Sequence, residues 1–314
     1  MVTLTVHQNS ESPAETADWK AARSIRGPFV HRICASTRDG FRWAEYRRRP
    51  GGAYLGNPGI ATLFRVVPRA GVIAVPPRVH GHDLATWHAL PTPGLLCDRL
   101  FDHGSAGEEW WRTTLESLAS FLGALHRLPV NQVAQALPDR TTAPAWMSSD
   151  SEAGAGIRKA AGRLPLHLTP LLSGAAGRTG PTPRRRSIVH GRFSTGVCAL
   201  TSPVAVLGWR EAGVGDPLSD VAYLLGEVLE AAALTGMDAP RLHGHLQAFL
   251  FRYQAAAGDS LDAAGLERLT ALTARRVIDH YAQAHWAFGP DDAMYDVLPK
   301  VERQWLVLRE VTDP

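Results

Sequence analysis

The stretch that decides the fold contains IVHGRFSTGVCAL (188–200), followed by VLGWREAGVGDPLSDVAYLL (206–225). Apolar, β-branched runs on both sides of a glycine-containing segment predict a strand, a tight turn and a second strand. The runs VCAL and VAVLGW are separated by Thr201-Ser202-Pro203, so we expect them to form a β-hairpin. A cation, Arg192, stands at the bend before this hairpin.

Length and composition indicate a globular protein that is large enough for two hydrophobic cores. The chain has 314 residues, of which 45% are hydrophobic and 20% charged, and these proportions are ordinary for a soluble protein. A net charge of +3 does not indicate a nucleic-acid partner. We see neither an apolar run long enough for a membrane span nor a signal peptide, so we expect a cytoplasmic protein with no membrane partner. The three cysteines are widely spaced, which favours reduced thiols in the core.

The hydrophobic patterns divide the chain into three parts. Residues 1–27 are predicted to form a polar N-terminal arm, and residues 28–104 a β-rich lobe with a hairpin at Asp39-Gly40. One helix is expected in that lobe between residues 57 and 70, because its apolar residues fall on one helical face. Residues 105–314 read as mainly helical, and a long amphipathic helix is predicted to open this part.

Several motifs in this order resemble the aminoglycoside phosphotransferase and choline kinase family, which shares the protein kinase fold. The β-rich lobe is followed by a helix ending in LGALHRL (122–128) and then by the stretch quoted above. The family pattern is roughly HGDxxxxN, a hairpin, DW and GDPxxDxA, and the matching residues are His190, Gly191, Trp209, Gly215, Asp216, Pro217, Asp220 and Ala222. The resemblance implies an α+β, two-lobed, protein-kinase-like fold, with a small β-rich N-lobe that carries one helix and a larger, mainly helical C-lobe.

The catalytic positions of the family are altered in this chain. Phosphoryl transfer needs an aspartate that positions the acceptor hydroxyl, and an asparagine and a second aspartate that hold the metal ions. These positions align with Arg192, Val197 and Gly208. Valine and glycine offer no side-chain oxygen to magnesium, and a guanidinium cannot accept a proton. We therefore predict a degenerate catalytic loop, no metal site of the usual kind, and a pseudokinase.

The N-lobe departs from the family pattern as well. The lysine that contacts the nucleotide has no equivalent, and the nearest cations are Arg47 and Arg48. The helix predicted between residues 57 and 70 lacks the glutamate that would pair with such a lysine. A further run, Arg184 to Arg186, is interpreted either as part of a basic surface for an acidic peptide or phosphate, or as a solvated loop.

The residues that match the family are interpreted as its structural frame. The resemblance implies that Trp209, Asp216, Pro217 and Asp220 cap the following helix and tie the catalytic loop to the C-lobe. Arg192 has two readings: it binds an anionic ligand or a partner's carboxylate, or it reaches solvent or forms a salt bridge with Asp216 or Asp220.

Two functions from different classes remain open at this stage. The first is a binding, scaffold or activating subunit with a protein or peptide partner, in a complex with a peptide-modifying enzyme of bacterial natural-product (RiPP) biosynthesis; it predicts no cofactor, or ATP bound without the usual magnesium. The second is an atypical ATP-dependent phosphotransferase that acts on a hydroxyl of a peptide Ser or Thr or of a small molecule. It would use His190 as the base, arginines as a phosphate clamp, and Asp216 or Asp220 as a metal ligand.

Overall fold

The computed structural model describes residues 21–27, 30–47, 59–68, 71–80, 84–100, 105–133, 136–140, 150–163, 185–289 and 292–312. These ranges contain ten β-strands and seven α-helices, which form a β-rich N-lobe and a larger helical C-lobe. The predicted α+β, two-lobed architecture is confirmed. Within the described ranges, every helix is too short or too polar to serve as a membrane span.

A five-stranded antiparallel sheet forms the N-lobe. Its strands, in spatial order, are β1 (Ala21–Arg26), β2 (Val30–Thr37), β3 (Gly40–Arg47), β6 (Leu84–Leu90) and β5 (Arg78–His80). The predicted hairpin is the β2–β3 pair; its turn residues are Arg38 and Asp39, and Gly40, which pairs with Thr37, begins β3. Gly40 has φ +121°, and a Cβ there would lie 2.6 Å from the carbonyl oxygen of Leu90, so the position after the turn requires glycine.

Strand β1 lies inside the segment that was predicted as a polar arm over residues 1–27. It pairs with β2 through the main chain, and Ile25 packs against the N-lobe core. The sequence AARSIR carries little apolar alternation, so its strand character depends on pairing with β2 rather than on its own pattern. Residues 1–20 of the predicted arm lie outside the described residues.

The N-lobe helix is shorter than expected. Helix α1 spans only Gly59–Leu63, and Ile60 and Leu63 are buried. Phe64 and Val67, which were expected on the same helix, follow it in turns and still pack against the main core. After Leu63 the backbone hydrogen bonds of Arg65 and Val66 change to the i to i−3 pattern of a turn, and Pro68, which has no N–H, follows these turns.

Strand β4 (Val72–Ala74) joins the two lobes. It pairs in parallel with β9 (Val204–Val206), which in turn pairs with β8 (Cys198–Ala199). The β8–β9 pair is the hairpin predicted around Thr201-Ser202-Pro203. Strand β4 lies within residues 28–104, the segment that was assigned to the N-lobe. It therefore belongs to a sheet whose strand β8 directly follows the catalytic loop, by which we mean residues 190–197.

The remaining elements build the C-lobe. They are α2 (Ser105–Arg127), α3 (Glu152–Ala161), β7 (Ser187–Val189), β10 (Gly213–Gly215), α4 (Leu218–Thr235), α5 (Ala239–Ala257), α6 (Ala263–Phe288) and α7 (Asp292–Thr312). Strands β7 and β10 pair antiparallel on either side of the catalytic loop. Helix α2 is the predicted long amphipathic helix, and it packs closely on α5.

Two hydrophobic clusters hold these layers together. The larger fills the C-lobe and includes Phe121, Phe193 and Trp209. The smaller joins Trp43 and Trp87 of the N-lobe sheet to Ala199, Ala205 and Leu207 around the β8–β9 hairpin. The N-lobe sheet thus packs directly onto the segment that leads to the candidate site.

Candidate functional site

Asp220 of α4 holds the loop that follows β7. Its side chain is fully buried, and its two carboxylate oxygens accept hydrogen bonds from the backbone N–H groups of His190, at 2.6 Å, and Gly191, at 2.8 Å. His126 of α2 lies 3.4 Å from the same carboxylate. Both oxygens are therefore engaged within the protein.

Asp216 and its neighbours fix the start of α4. The Asp216 carboxylate accepts a hydrogen bond from Leu218 N–H at 3.0 Å and pairs with Arg268 of α6 at 2.6 Å. Pro217 occupies the N-cap position of the helix. Trp209 is fully buried and donates from Nε1 to the carbonyl of Val206 at 3.1 Å.

The two positions that align with metal ligands contact each other. Gly208 has φ +74°, and a Cβ built on it would lie 2.7 Å from Cγ1 of Val197. The space of an aspartate side chain at position 208 is thus taken by the valine. In the part of the chain that the structure describes, no group of three or more His, Cys, Asp or Glu residues is arranged to hold a metal ion.

Arg192 forms an ion pair with Glu211, and its Nε lies 3.1 Å from Oε1 of that residue. The partner is neither Asp216 nor Asp220, as one reading of the sequence expected, because those carboxylates are already engaged by Arg268 and by backbone amides. Burial alone would raise the pKa of Glu211, but Arg192 and neighbouring arginines outweigh it and hold this pKa below the ordinary value.

Glu45 of β3 connects the N-lobe sheet with the catalytic loop. Only 1% of this residue is exposed, and its carboxylate accepts from Arg32 Nε at 2.7 Å and from Arg210 Nη1. Arg32 also donates to the carbonyl of Gly196 at 3.0 Å. Burial raises the pKa of Glu45, but Arg210 and Arg32 reverse this effect and lower it to about 2. Because Arg210 also approaches Glu211, we call Arg32, Glu45, Arg210, Glu211 and Arg192 the ion-pair chain.

A second polar cluster lies below the loop. Glu227 of α4 accepts hydrogen bonds from the backbone N–H and the hydroxyl of Thr195, at 2.7 and 2.8 Å. Arg276 of α6 lies 3.4 Å from Glu227 and 3.1 Å from Glu230, and its guanidinium stands 4.7 Å from the ring centre of Tyr223. This arrangement fixes Arg276 and Tyr223 beside Arg192.

These groups surround an open cleft of about 420 Å³ between the lobes. The β1–β2 hairpin forms its roof, the catalytic loop its floor, and α4 and α6 its far wall. The residues that matter for its chemistry are Arg32, Arg192, Arg210, Glu211, Glu227 and Arg276. A second space, between Trp43, Trp87, Leu95 and Leu207, holds only about 10 Å³.

His190 lies outside the lining of this cleft. Its side chain is fully buried, Nε2 donates to the carbonyl of Leu207 at 2.8 Å, and the ring packs 4.7 Å from that of Trp209. Burial lowers the pKa of the imidazole. This geometry suits a residue that supports the loop.

Two further predicted cations, Arg185 and Arg186, do not line the cleft. Arg186 pairs with Asp139 at 2.6 Å, and Arg185 donates to the carbonyl of Arg127 at 3.3 Å. Arg47 ends β3, and the description does not extend to its side chain. Arg48 and Arg184 lie outside the described residues.

Sequence reasoning missed Glu45 and the turn residues Arg210 and Glu211. One signal was available for Glu45: strand alternation places it on the same face of β3 as the buried Trp43. A charge on a buried strand face needs a charged partner. Its partners, Arg32 and Arg210, are brought to it only by the folded chain.

Comparisons with known proteins agree with this architecture. A model of a phosphotransferase enzyme family matches residues 37–236. Spectinomycin phosphotransferase APH(9)-Ia, solved with ADP and spectinomycin, aligns over 93% of this chain and 94% of its own, with a TM-score of 0.56 and 10% identity. A choline kinase from Cryptosporidium parvum Iowa II aligns over 95% and 92%, with a TM-score of 0.52 and 10% identity.

A choline/ethanolamine kinase family protein from Mesorhizobium loti aligns over 95% of both chains, with a TM-score of 0.50 and 12% identity. At these identities the likeness shows a shared fold. A search of curated protein sequences found no match.

Proposed function

Because the chain belongs to the phosphotransferase enzyme family, as the match over residues 37–236 shows, we propose that it is a kinase-fold pseudoenzyme that binds a peptide or protein partner and transfers no phosphate. The observation that carries this proposal is that Val197 fills the space in which a side chain at position 208 would stand. Metal ions in kinases bridge the phosphates and neutralise the charge that develops on them. Two apolar residues in contact supply none of the oxygen ligands that this chemistry needs.

The state of Arg192 supports the same proposal. A general base must reach the acceptor proton and be able to take it. Arg192 cannot be deprotonated in a protein, and Glu211 raises its pKa further. The charge that stands at the catalytic position is therefore permanently positive.

Beneath the N-lobe sheet, the space between Trp43 and Trp87 is closed, whereas the cleft under the β1–β2 hairpin is open. In protein kinases a nucleotide lies against this sheet, where a strand lysine and a glycine-rich loop hold its phosphates. Here Trp43 and Trp87 pack towards Leu95 and Leu207 and leave about 10 Å³, which is roughly the space of one water molecule. A purine ring does not fit this closed space, so a bound nucleotide would have to lie in the open cleft under the β1–β2 hairpin.

The alternative of an atypical phosphotransferase finds less support. His190 is buried and uses Nε2 on a backbone carbonyl, so it does not reach a substrate in the cleft. Asp216 and Asp220, the other candidate metal ligands, are committed to Arg268 and to backbone amides. An active enzyme would have to rearrange all three residues.

The proposed partner is a peptide, or an enzyme that modifies peptides in bacterial natural-product biosynthesis. The open cleft, which is of the size that small ligands and short peptides occupy, supports the binding role. The test is to add this chain to a peptide-modifying enzyme from the same gene neighbourhood and to measure the rate of that enzyme. An unchanged rate at saturating concentrations would contradict an activating role.

Release of ADP tests the absence of phosphate transfer. We expect wild-type protein with ATP, magnesium and hydroxyl-bearing peptides to release no more ADP than buffer does. The matched variant is His190→Ala. Turnover in the wild type would overturn the pseudoenzyme proposal, and its disappearance in a folded His190→Ala protein would favour the alternative.

A further inference from the structure

Arg192 has free hydrogen-bonding capacity that faces the cleft. Its ion pair with Glu211 uses Nε, and 28% of the side chain is exposed. Its guanidinium donates no hydrogen bond to any of the residues that the structure describes. Because Arg192 lines the cleft and contacts Glu211 through Nε, the planar fork of its terminal nitrogens can grip an oxyanion there with two parallel hydrogen bonds.

The charges around this fork select the kind of anion. The cleft is lined by Arg32, Arg192, Arg210 and Arg276, by His280, and by Glu211 and Glu227. Three further carboxylates, Glu45, Glu230 and Asp279, lie behind this lining, and Arg140 lies close to Glu211. Because each lining arginine already faces at least one carboxylate, the site tolerates one added negative charge better than two. A carboxylate fits this site better than a phosphate dianion.

The rim of the cleft is apolar. Ile25 and Val30 of the β1–β2 hairpin line the roof. Phe288, the last residue of α6, lines the mouth and is 66% exposed. An exposed aromatic ring beside a charged pocket is typical of an anchor for an apolar side chain of a ligand.

The geometry points to a binding site for a peptide carboxylate: a glutamate or aspartate side chain with apolar neighbours, whose two oxygens accept from the terminal nitrogens of Arg192. The neighbouring apolar side chains contact Phe288 and the β1–β2 roof. This inference rests on the proposed peptide-binding function. Arg192, at the altered catalytic position, thus recognises a carboxylate of the peptide.

Matched peptides test the inference by calorimetric titration. The probes are N-acetyl-Leu-Glu-Leu-amide, its glutamine analogue, and its phosphoserine analogue, in which only the central side chain differs. We expect the glutamate peptide to bind about tenfold more tightly than the glutamine peptide, since a charge-assisted pair is worth that much. We expect the phosphoserine peptide to bind no better than the glutamate peptide.

Three variants separate recognition from folding. Arg192→Gln should abolish the preference for glutamate, and Arg192→Lys, which keeps the charge but loses the fork, should retain part of it. Phe288→Ala should weaken the glutamate and glutamine peptides equally and leave their ratio unchanged. Arg112→Gln, on the exposed face of α2, removes an arginine with two surface ion pairs and serves as the control. Circular dichroism establishes that each variant is folded.

Three results would overturn the inference. They are equal binding of the glutamate and glutamine peptides, no binding of either at millimolar concentration, and tighter binding of the phosphoserine peptide. Each of them leaves the pseudoenzyme proposal standing, because that proposal is tested by ADP release. Conversely, turnover in the ADP assay would overturn the pseudoenzyme proposal whatever the peptides show.

Discussion

At Gly208 a left-handed backbone and a neighbouring valine together exclude a larger side chain. Gly208 has φ +74°, a left-handed conformation that glycine and, less readily, aspartate and asparagine adopt, and a Cβ would approach Cγ1 of Val197 to 2.7 Å. A metal-binding aspartate would therefore need a smaller neighbour than Val197. The proposed loss of the metal site thus depends on two positions, Val197 and Gly208, that constrain each other.

Substitution of Gly208 by alanine measures this exclusion. We expect Gly208→Ala to lower the free energy of unfolding by about 2–4 kcal/mol, because backbone strain and overpacking add. The matched control is Gly236→Ala, where φ is +69° but no atom lies within 4 Å of the added Cβ, and we expect a cost of about 1 kcal/mol. Urea denaturation gives both values. An equal loss of unfolding free energy in both variants would show that Val197 does not restrict the side chain at position 208.

At the scale of elements, α2 and α5 pack with almost no space between them. A Cβ on Gly123 of α2 would lie 2.6 Å from the carbonyl oxygen of Tyr253 and 2.7 Å from Cβ of Ala256. This contact lets His126, one turn further along α2, approach Asp220 and the hydroxyl of Tyr253. The helix pair thereby supports the carboxylate that holds the catalytic loop.

Alanine at position 123 should force these helices apart. We expect Gly123→Ala to destabilise the protein by about 1–3 kcal/mol despite the better helix propensity of alanine. Gly244→Ala in α5, where a Cβ meets no neighbour within 4 Å, should instead leave stability unchanged or raise it by up to about 1 kcal/mol. Thermal unfolding of the two variants compares them directly. A stabilised Gly123→Ala variant would contradict the close packing.

The elements differ in how far the sequence predicts them. The hairpins and α2 were predictable because their apolar patterns and turn residues are local. Strand β1 was not, since its pairing with β2 depends on the main chain and on the placement of Ile25 in the core. In the candidate site, the alteration at Arg192 could be read from the motif, but its partner Glu211 could not, because the expected partner carboxylates turned out to be engaged elsewhere.

At the scale of the whole molecule, the ion-pair chain ties the N-lobe to the catalytic loop. Glu45 stands on β3, whereas Arg210 and Gly196 belong to the C-lobe, and Arg32 contacts both Glu45 and Gly196. Removal of the Glu45 charge leaves two arginines without their buried partner. The lobes are therefore linked by charge as well as by the smaller hydrophobic cluster.

Neutralisation of Glu45 should destabilise the folded protein strongly. We expect Glu45→Gln to cost about 3–5 kcal/mol at neutral pH, as is usual when one member of a buried ion pair is lost. Glu109→Gln, which removes an exposed ion pair on α2, should cause no measurable change. Chemical denaturation at neutral pH tests both variants. A cost for Glu45→Gln no larger than that of the control would contradict the link between the lobes.

The Glu45 carboxylate should also make the stability of the protein sensitive to acid. The pKa of Glu45 falls from 4.5 to about 2 on folding, so its stabilisation is complete above the ordinary pKa and is lost as the pH falls towards 2. This shift corresponds to about 3 kcal/mol. We expect the unfolding free energy of the wild type to fall more steeply below pH 4.5 than that of Glu45→Gln. If the unfolding free energies of the two proteins fell equally steeply with pH, this result would contradict the low pKa of Glu45.

Binding of ATP with and without magnesium tests the central claim most directly, because it asks whether the altered site still assembles a metal–nucleotide complex. The measurement is a calorimetric titration of the wild-type protein with ATP, once with magnesium and once with a chelator. The account predicts no binding, or weak binding that magnesium does not change. Tight binding that requires magnesium would contradict it, because Val197 and Gly208 would then have to be replaced by other ligands.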